Sequence, residues 1–221
     1  MALLVFIILA WFIGGIPFGL IISRLWNKDP RKEGSGNIGA TNVFRTVGKI
    51  PGIITFIADI LKGSLVVIAV KVFLHYCPQG EIGIISYQQW LPSFAAMAVV
   101  LGHIFSPYLK FRGGKGVATG LGTIVILAPV FSLIGLGIFI ILVIGFRYVS
   151  VGSIFAALTV LAVMTLFKFT KFNLLNISVT WGEWVYVLIL VVFVIISHRS
   201  NIKRLLTGKE NKFSWNRKSS P

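Results

Sequence analysis

The chain alternates long apolar blocks with short polar ones. Apolar segments run at 2–23, 50–76, 90–109, 117–146, 151–169 and 182–197. About 20 apolar residues in helical form cross roughly 30 Å of hydrocarbon, so this pattern predicts an all-α polytopic membrane protein. Residues 1–221 form a single integral membrane domain. The fourth segment is too long for one crossing, reaching about 45 Å as a continuous helix. Pro129 divides it. The pattern therefore allows six spans, or seven if two helices turn near Ala128–Pro129.

Charge decides between the two. Twenty-one Lys and Arg stand against six Asp and Glu, a net charge of +15. In a chain that is 56% hydrophobic, such an excess is assigned to the positive-inside rule rather than to nucleic acid. With Lys168, at the end of the 151–169 segment, counted with the loop that follows it, the basic residues divide 11 against 8 for six spans and 17 against 2 for seven. The expected topology is therefore seven transmembrane helices, N-terminus outside and C-terminus cytoplasmic. Loops 24–49, 110–116 and 146–150 and the tail from 198 then share the cytoplasm with most of the unusual residues. The first segment, MALLVFIILAWFIGGIPFGLIIS, lacks a basic leader and a small-residue cleavage site, so it is read as a retained helix. The half-segment from Val117 to Ala128 spans only about 18 Å, which places Gly113–Gly116 at or below the headgroups. The single Cys77 excludes an internal disulfide, and no His/Asp/Glu cluster has metal-ligand spacing.

Three polar segments carry the candidate chemistry: 33–49, 102–120 and 197–210. In the first, Gly34, Gly36 and Gly39 alternate with Ser35, Asn37, Thr41 and Asn42, and Arg45 adds a planar fork for phosphate or carboxylate. In the second, Gly113, Gly114 and Gly116 surround Lys115 where a helix begins, and free N–H groups and the helix dipole favour an anion there. Lys110 and Arg112 flank this loop and also suit ordinary headgroup anchors. His103, one turn inside its helix, reads as a neutral histidine bonded to a neighbouring helix. In the third, His198 and Asn201 project from one helical face with Arg204 close by, although a basic amphipathic helix lying on anionic lipid has the same pattern. Ser150 and Ser153 open the sixth span on the same side. Asp59 and Lys62, at i, i+3 inside the second span, either neutralise each other or brace the site.

The motifs GSGNIGATN with Arg45, GHIFSPYLKFRGGKGVAT and SHRSNIKRLLTGKE resemble, in order and spacing, the three signatures of the bacterial acyl-phosphate:glycerol-3-phosphate acyltransferase family. The resemblance implies seven spans in the bacterial cytoplasmic membrane with the motifs on the cytoplasmic side. It implies transfer of a fatty acyl group from acyl phosphate to the 1-hydroxyl of glycerol 3-phosphate. The products are lysophosphatidic acid and phosphate, and the step is the first acylation of phospholipid synthesis. No cofactor or metal is called for. Membrane lipid and other enzymes of lipid synthesis are the further partners it suggests. Ser35, Arg45, Lys115, His198 and Asn201 are the expected catalytic residues. Asn37, Thr41, Asn42, Gly113, Gly114, Gly116, Ser150, Ser153 and Arg204 are the expected substrate-binding set. Either His198 or a substrate phosphate oxygen can accept the hydroxyl proton. A carrier for a phosphorylated or other anionic solute, and a scaffold in a lipid-synthesis complex, account for the same spans and charge. The tail beyond Glu210 has no expected role.

Overall fold

The computed structural model describes residues 2–76, 81–82, 85–170 and 177–214. Cys77 lies outside them, as do parts of the expected outer loops and tail. Among the described residues the chain forms ten α-helices: α1 Ala2–Gly15, α2 Phe18–Leu25, α3 Ala40–Thr46, α4 Lys49–Tyr76, α5 Tyr87–Ile104, α6 Val117–Leu127, α7 Pro129–Phe146, α8 Val149–Phe169, α9 Trp181–Ser197 and α10 Arg199–Leu206. A two-residue antiparallel pairing sets Glu81 opposite Ser86 and Ile82 opposite Ile85.

Breaks fall where the backbone loses donors. Pro17, which has no N–H, separates α1 from α2 within the apolar stretch Leu4–Leu25. Ala128, at φ −142° and ψ 67°, ends α6, and Pro129 opens α7, so the long fourth segment is two helices. Five helical stretches are long and apolar enough to cross a membrane, and a sixth joins them if α9 and α10, bent by 54°, count as one span. With 11 residues, α6 reaches only about 16 Å. Thr180 and Glu183 form a reciprocal capping box at the start of α9.

Inside lipid, helices are held by close packing and by polar contacts rather than by the hydrophobic effect. The α4–α6 contact shows the first: a Cβ on Gly63 would fall 2.4 Å from the Thr119 carbonyl oxygen, and one on Gly122 2.1 Å from that of Ile60. Only glycine lets these backbones approach so closely. The α6–α9 contact shows the second, because the Thr123 and Tyr186 hydroxyls hydrogen-bond to each other in the core. Thus α6, though short, is clasped between α4 and α9, and its N-terminus is fixed in space.

Candidate active site

The first polar segment is shaped by one side chain. Asn42, 3% exposed on α3, accepts from the Ser35 N–H at 2.9 Å. Its amide donates to the carbonyls of Pro30 and Asn37, both at 2.8 Å, and of Glu33 at 3.2 Å. Both amide hydrogens of Asn42 and one lone pair of its Oδ1 are spent on the loop, so it braces the loop from within while bordering the cavity. Gly34 and Gly36 adopt positive φ and give the loop its tight course. Asn37 closes a turn by accepting from the Gly39 N–H at 2.8 Å, and its amide reaches the Gly113 carbonyl at 3.5 Å.

The second segment folds back onto the end of α5. Gly113 N–H donates to the Ile104 carbonyl at 2.9 Å and Gly114 N–H to the His103 carbonyl at 3.0 Å. These two donors anchor the loop, and neither glycine borders the cavity. Gly116 does, at φ +81° as the cap of α6, whose first N–H groups have no intrahelical partners. Lys110 and Arg112 are exposed and stand away from the cavity.

The third segment closes the site. The Lys115 ammonium donates to Asn201 Oδ1. Asn201 Nδ2 donates to Glu210 at 2.6 Å, Arg204 Nε to Glu210 at 2.7 Å and Ser150 Oγ to Glu210 at 3.1 Å. Arg204 therefore reaches the site through Glu210. Ser153 borders the cavity, but its hydroxyl hydrogen goes to the Val149 carbonyl at 2.8 Å. His198, 3% exposed, has Nδ1 2.8 Å from the Val194 carbonyl. A carbonyl only accepts, so the proton is on Nδ1 and Nε2 is left bare.

Ser35, Asn37, Thr41, Arg45, Lys115, Ser150, His198 and Asn201 all border this one cleft, whose empty space is about 840 Å³ with its open mouth included. Through Gly116, Val117, Phe56, Phe139 and Ser153 it runs into an apolar cleft between α6, α7, α8 and α9 that reaches Ile124, Gly135 and Val160. A second apolar opening lies between α3–α4 and α7, bordered by Phe44, Ile53, Phe56, Phe139, Ile140 and Phe213.

Burial lowers the Lys115 pKa to about 8; Glu210 opposes the shift, and Arg204 and Arg45 add to it. Burial, and then the Lys115 charge, lower His198 to about 4. Burial pushes Glu210 up, but hydrogen bonds from Asn201, Arg204 and Ser150 and the Arg204 charge outweigh it and hold the carboxyl below its usual range. At neutral pH the site thus presents an ammonium, a neutral imidazole and a carboxylate. Among the described residues no three His, Cys, Asp or Glu side chains gather as metal ligands.

Of the titratable residues that border the cleft, Glu210 was not expected there and His103 was expected only as a packed histidine, whereas Asp59 takes the bracing position that was one of its two readings. The tail beyond Glu210 takes part too. Asn211 borders the cleft, Phe213 N–H donates to the Arg147 carbonyl at 2.6 Å, and the Phe213 ring lies 5.3 Å from that of Phe44.

A helical membrane protein that gathers cations and a bare imidazole nitrogen at the mouth of an apolar cleft belongs among proteins that handle phosphate-bearing lipids. The comparisons narrow the class. The family profile described as glycerol-3-phosphate acyltransferase matches residues 4–208. A glycerol-3-phosphate acyltransferase of Trichlorobacter lovleyi is 43% identical over 92% of this chain and 94% of its own, and one of Synechococcus elongatus is 42% identical over 92% and 90%. The crystal structure of PlsY (YgiH), an integral membrane glycerol 3-phosphate acyltransferase in its glycerol 3-phosphate form, superposes with a TM-score of 0.81 at 33% identity, covering 97% of this chain and 96% of that one. Its lysophosphatidic acid form gives a TM-score of 0.78 at 32% identity. The chain belongs to the glycerol-3-phosphate acyltransferase family.

Proposed function

We propose that this membrane glycerol-3-phosphate acyltransferase takes its acyl group from acyl phosphate and delivers it to the 1-hydroxyl, at the cytoplasmic face of a seven-span bundle in which α6 is a short pass. One observation carries the reading. Arg45 and Lys115 border the same polar cleft that continues, past Gly116 and Val117, into apolar space of the kind an acyl chain needs.

The chemistry follows from the groups present. The hydroxyl oxygen forms a C–O bond to the acyl carbon, the C–O bond to phosphate breaks, and its electron pair leaves on phosphate. Acyl phosphate is already an activated anhydride, so no covalent intermediate on Ser is needed. Lys115 and Arg45 hold phosphate and stabilise the charge that builds as the bond breaks. His198 Nε2 accepts the hydrogen bond of the attacking hydroxyl and aims it. With its pKa near 4 in the free enzyme, His198 is a weaker base than a phosphate monoester oxygen, whose second pKa is about 6, so the proton passes to substrate phosphate. Asn201 positions Lys115, and Glu210 positions Asn201 and Arg204. Asn42, Gly113 and Gly114 shape the two loops.

Purified protein in detergent, given long-chain acyl phosphate and glycerol 3-phosphate, is expected to form 1-acyl lysophosphatidic acid and phosphate in equal amounts. Turnover without a closed compartment separates an enzyme from a carrier. Absence of product would remove the reading.

A further inference from the structure

Beneath the glycine loop, α4 and α5 bury a polar cluster that the mechanism above does not use. Lys62 Nζ lies 3.0 Å from the Ile16 carbonyl, 2.7 Å from Asp59 Oδ1 and 2.9 Å from His103 Nδ1. None of the three side chains is more than 5% exposed. An ammonium has three hydrogens and no lone pair; Lys62 hydrogen-bonds the Ile16 carbonyl and His103 Nδ1 and pairs with Asp59 as an ion. Nδ1 must therefore accept, which puts the imidazole proton on Nε2. Asp59 Oδ1, 3.5 Å from Nδ1, is too distant to claim that nitrogen's proton against Lys62.

Among the described residues Nε2–H has no hydrogen-bond partner, and His103 borders the cleft together with Arg45 and Lys115. Its position is permitted by Gly114, where a Cβ would fall 2.1 Å from Nε2. Gly114, whose own N–H is spent on the His103 carbonyl, is small so that the ring edge fits against the loop. Nε2 is not one of the fully buried atoms without a partner, which among the described residues are Asp59 Oδ1, Ser93 Oγ and Thr119 Oγ1, so it keeps access to the cleft.

We propose that His103 is a further catalytic residue: its Nε2–H donates to a phosphoryl oxygen of the acyl donor beside Lys115, in a tautomer held by Lys62 and Asp59. The proposal rests on the acyltransferase reading. The donor adds no charge to a cleft that already holds two cations, and its hydrogen bond strengthens as the acyl C–O bond breaks and the electron pair moves onto phosphate. The same geometry argues against an Asp–His general base, which would need Nε2 bare.

Two substitutions and one spectrum test this. His103→Gln places an amide N–H close to Nε2, whereas His103→Phe fills the space without a donor. Removal of one such donor typically lowers turnover by roughly 100-fold or more, so His103→Phe is expected to lose about that factor in kcat/KM for acyl phosphate. The KM for glycerol 3-phosphate stays near wild type, the thermal midpoint of His103→Phe falls because Lys62 loses an acceptor, and His103→Gln recovers activity to within about tenfold of wild type. A folded His103→Phe protein with wild-type kcat/KM overturns the proposal, as does a His103→Gln protein no better than His103→Phe. If His103→Phe does not fold, the wild-type protein decides. It has three histidines, so its ¹⁵N-imidazole spectrum is simple. His103 is expected as the Nε2–H tautomer with a signal that shifts on adding inorganic phosphate, and an Nδ1–H tautomer or an unmoved signal overturns the proposal. Wild-type protein without acyltransferase turnover would sink the parent reading instead, a result the spectrum does not share.

Discussion

Lys115 meets two opposed demands: burial lowers its pKa to about 8, and the phosphate it is proposed to hold needs it protonated. Its usual value is 10.5, so the unfolded chain keeps the proton longer than the folded one. Between about pH 8 and 10.5 the folded state therefore gains stability from this group as pH rises, because the cost of burying its charge is relieved. Activity is expected to run the other way. In the free enzyme, kcat/KM falls as pH rises through about 8, and Lys115→Arg moves that limb upward because a guanidinium stays charged. An unchanged alkaline limb in Lys115→Arg would show that another group titrates. Arg45→Ala or Lys115→Ala should each lose roughly 2–4 kcal/mol of transition-state stabilisation, about 30- to 1,000-fold in kcat/KM, with folding intact. Arg45→Lys recovers only part, since a point charge does not replace a two-pronged donor. Steady-state kinetics on the purified variants read both.

At the scale of elements, the site depends on a short helix held in place by its neighbours. Gly122→Ala would drive a Cβ to 2.1 Å from the Ile60 carbonyl and push α6 off α4, carrying Lys115 with it. It is expected to destabilise the protein by about 2 kcal/mol or more and to lower activity by more than the loss of folded protein explains. Thermal unfolding in detergent, set beside turnover per folded molecule, checks this; a normal melting midpoint would contradict the packing account. Much of this architecture was legible in the residues. The apolar blocks marked the helices, Pro129 marked the break between α6 and α7, and the polar loops marked segments that meet at one cleft. What escaped depended on contacts between segments. Glu210 has the wrong sign for an anion site until Asn201, Arg204 and Ser150 are seen to converge on it. His103 reads as an ordinary packed histidine until Lys62 fixes its tautomer. Gly113 and Gly114 read as anion donors, yet their N–H groups turn to α5. The tail showed no motif, but Phe213 reaches Phe44 and Arg147.

At the scale of the whole molecule, the orientation proposed for the bundle rests on 17 basic residues against 2. Lys32, Gln88 and Ser200 are all exposed, so each can carry a labelling cysteine after Cys77→Ser removes the native thiol. Cysteines at Lys32 and Ser200 should react only with reagent on the cytoplasmic side, and one at Gln88 only from outside. Labelling of Gln88 from the same side as Lys32 would contradict the seven-span reading.

The anion clip proposed at Lys115, opening onto an apolar cleft, suits a bare acyl phosphate. A thioester of coenzyme A would also need room and partners for adenine and ribose, and the loops offer short turns and single cations instead. The most direct test is donor competition on purified protein with glycerol 3-phosphate fixed. Long-chain acyl phosphate should support turnover and acyl-CoA at equal concentration essentially none. Inorganic phosphate, as the leaving group, should inhibit weakly in the wild type and less in Lys115→Ala. Comparable turnover from acyl-CoA, or phosphate inhibition unchanged in Lys115→Ala, would contradict the account.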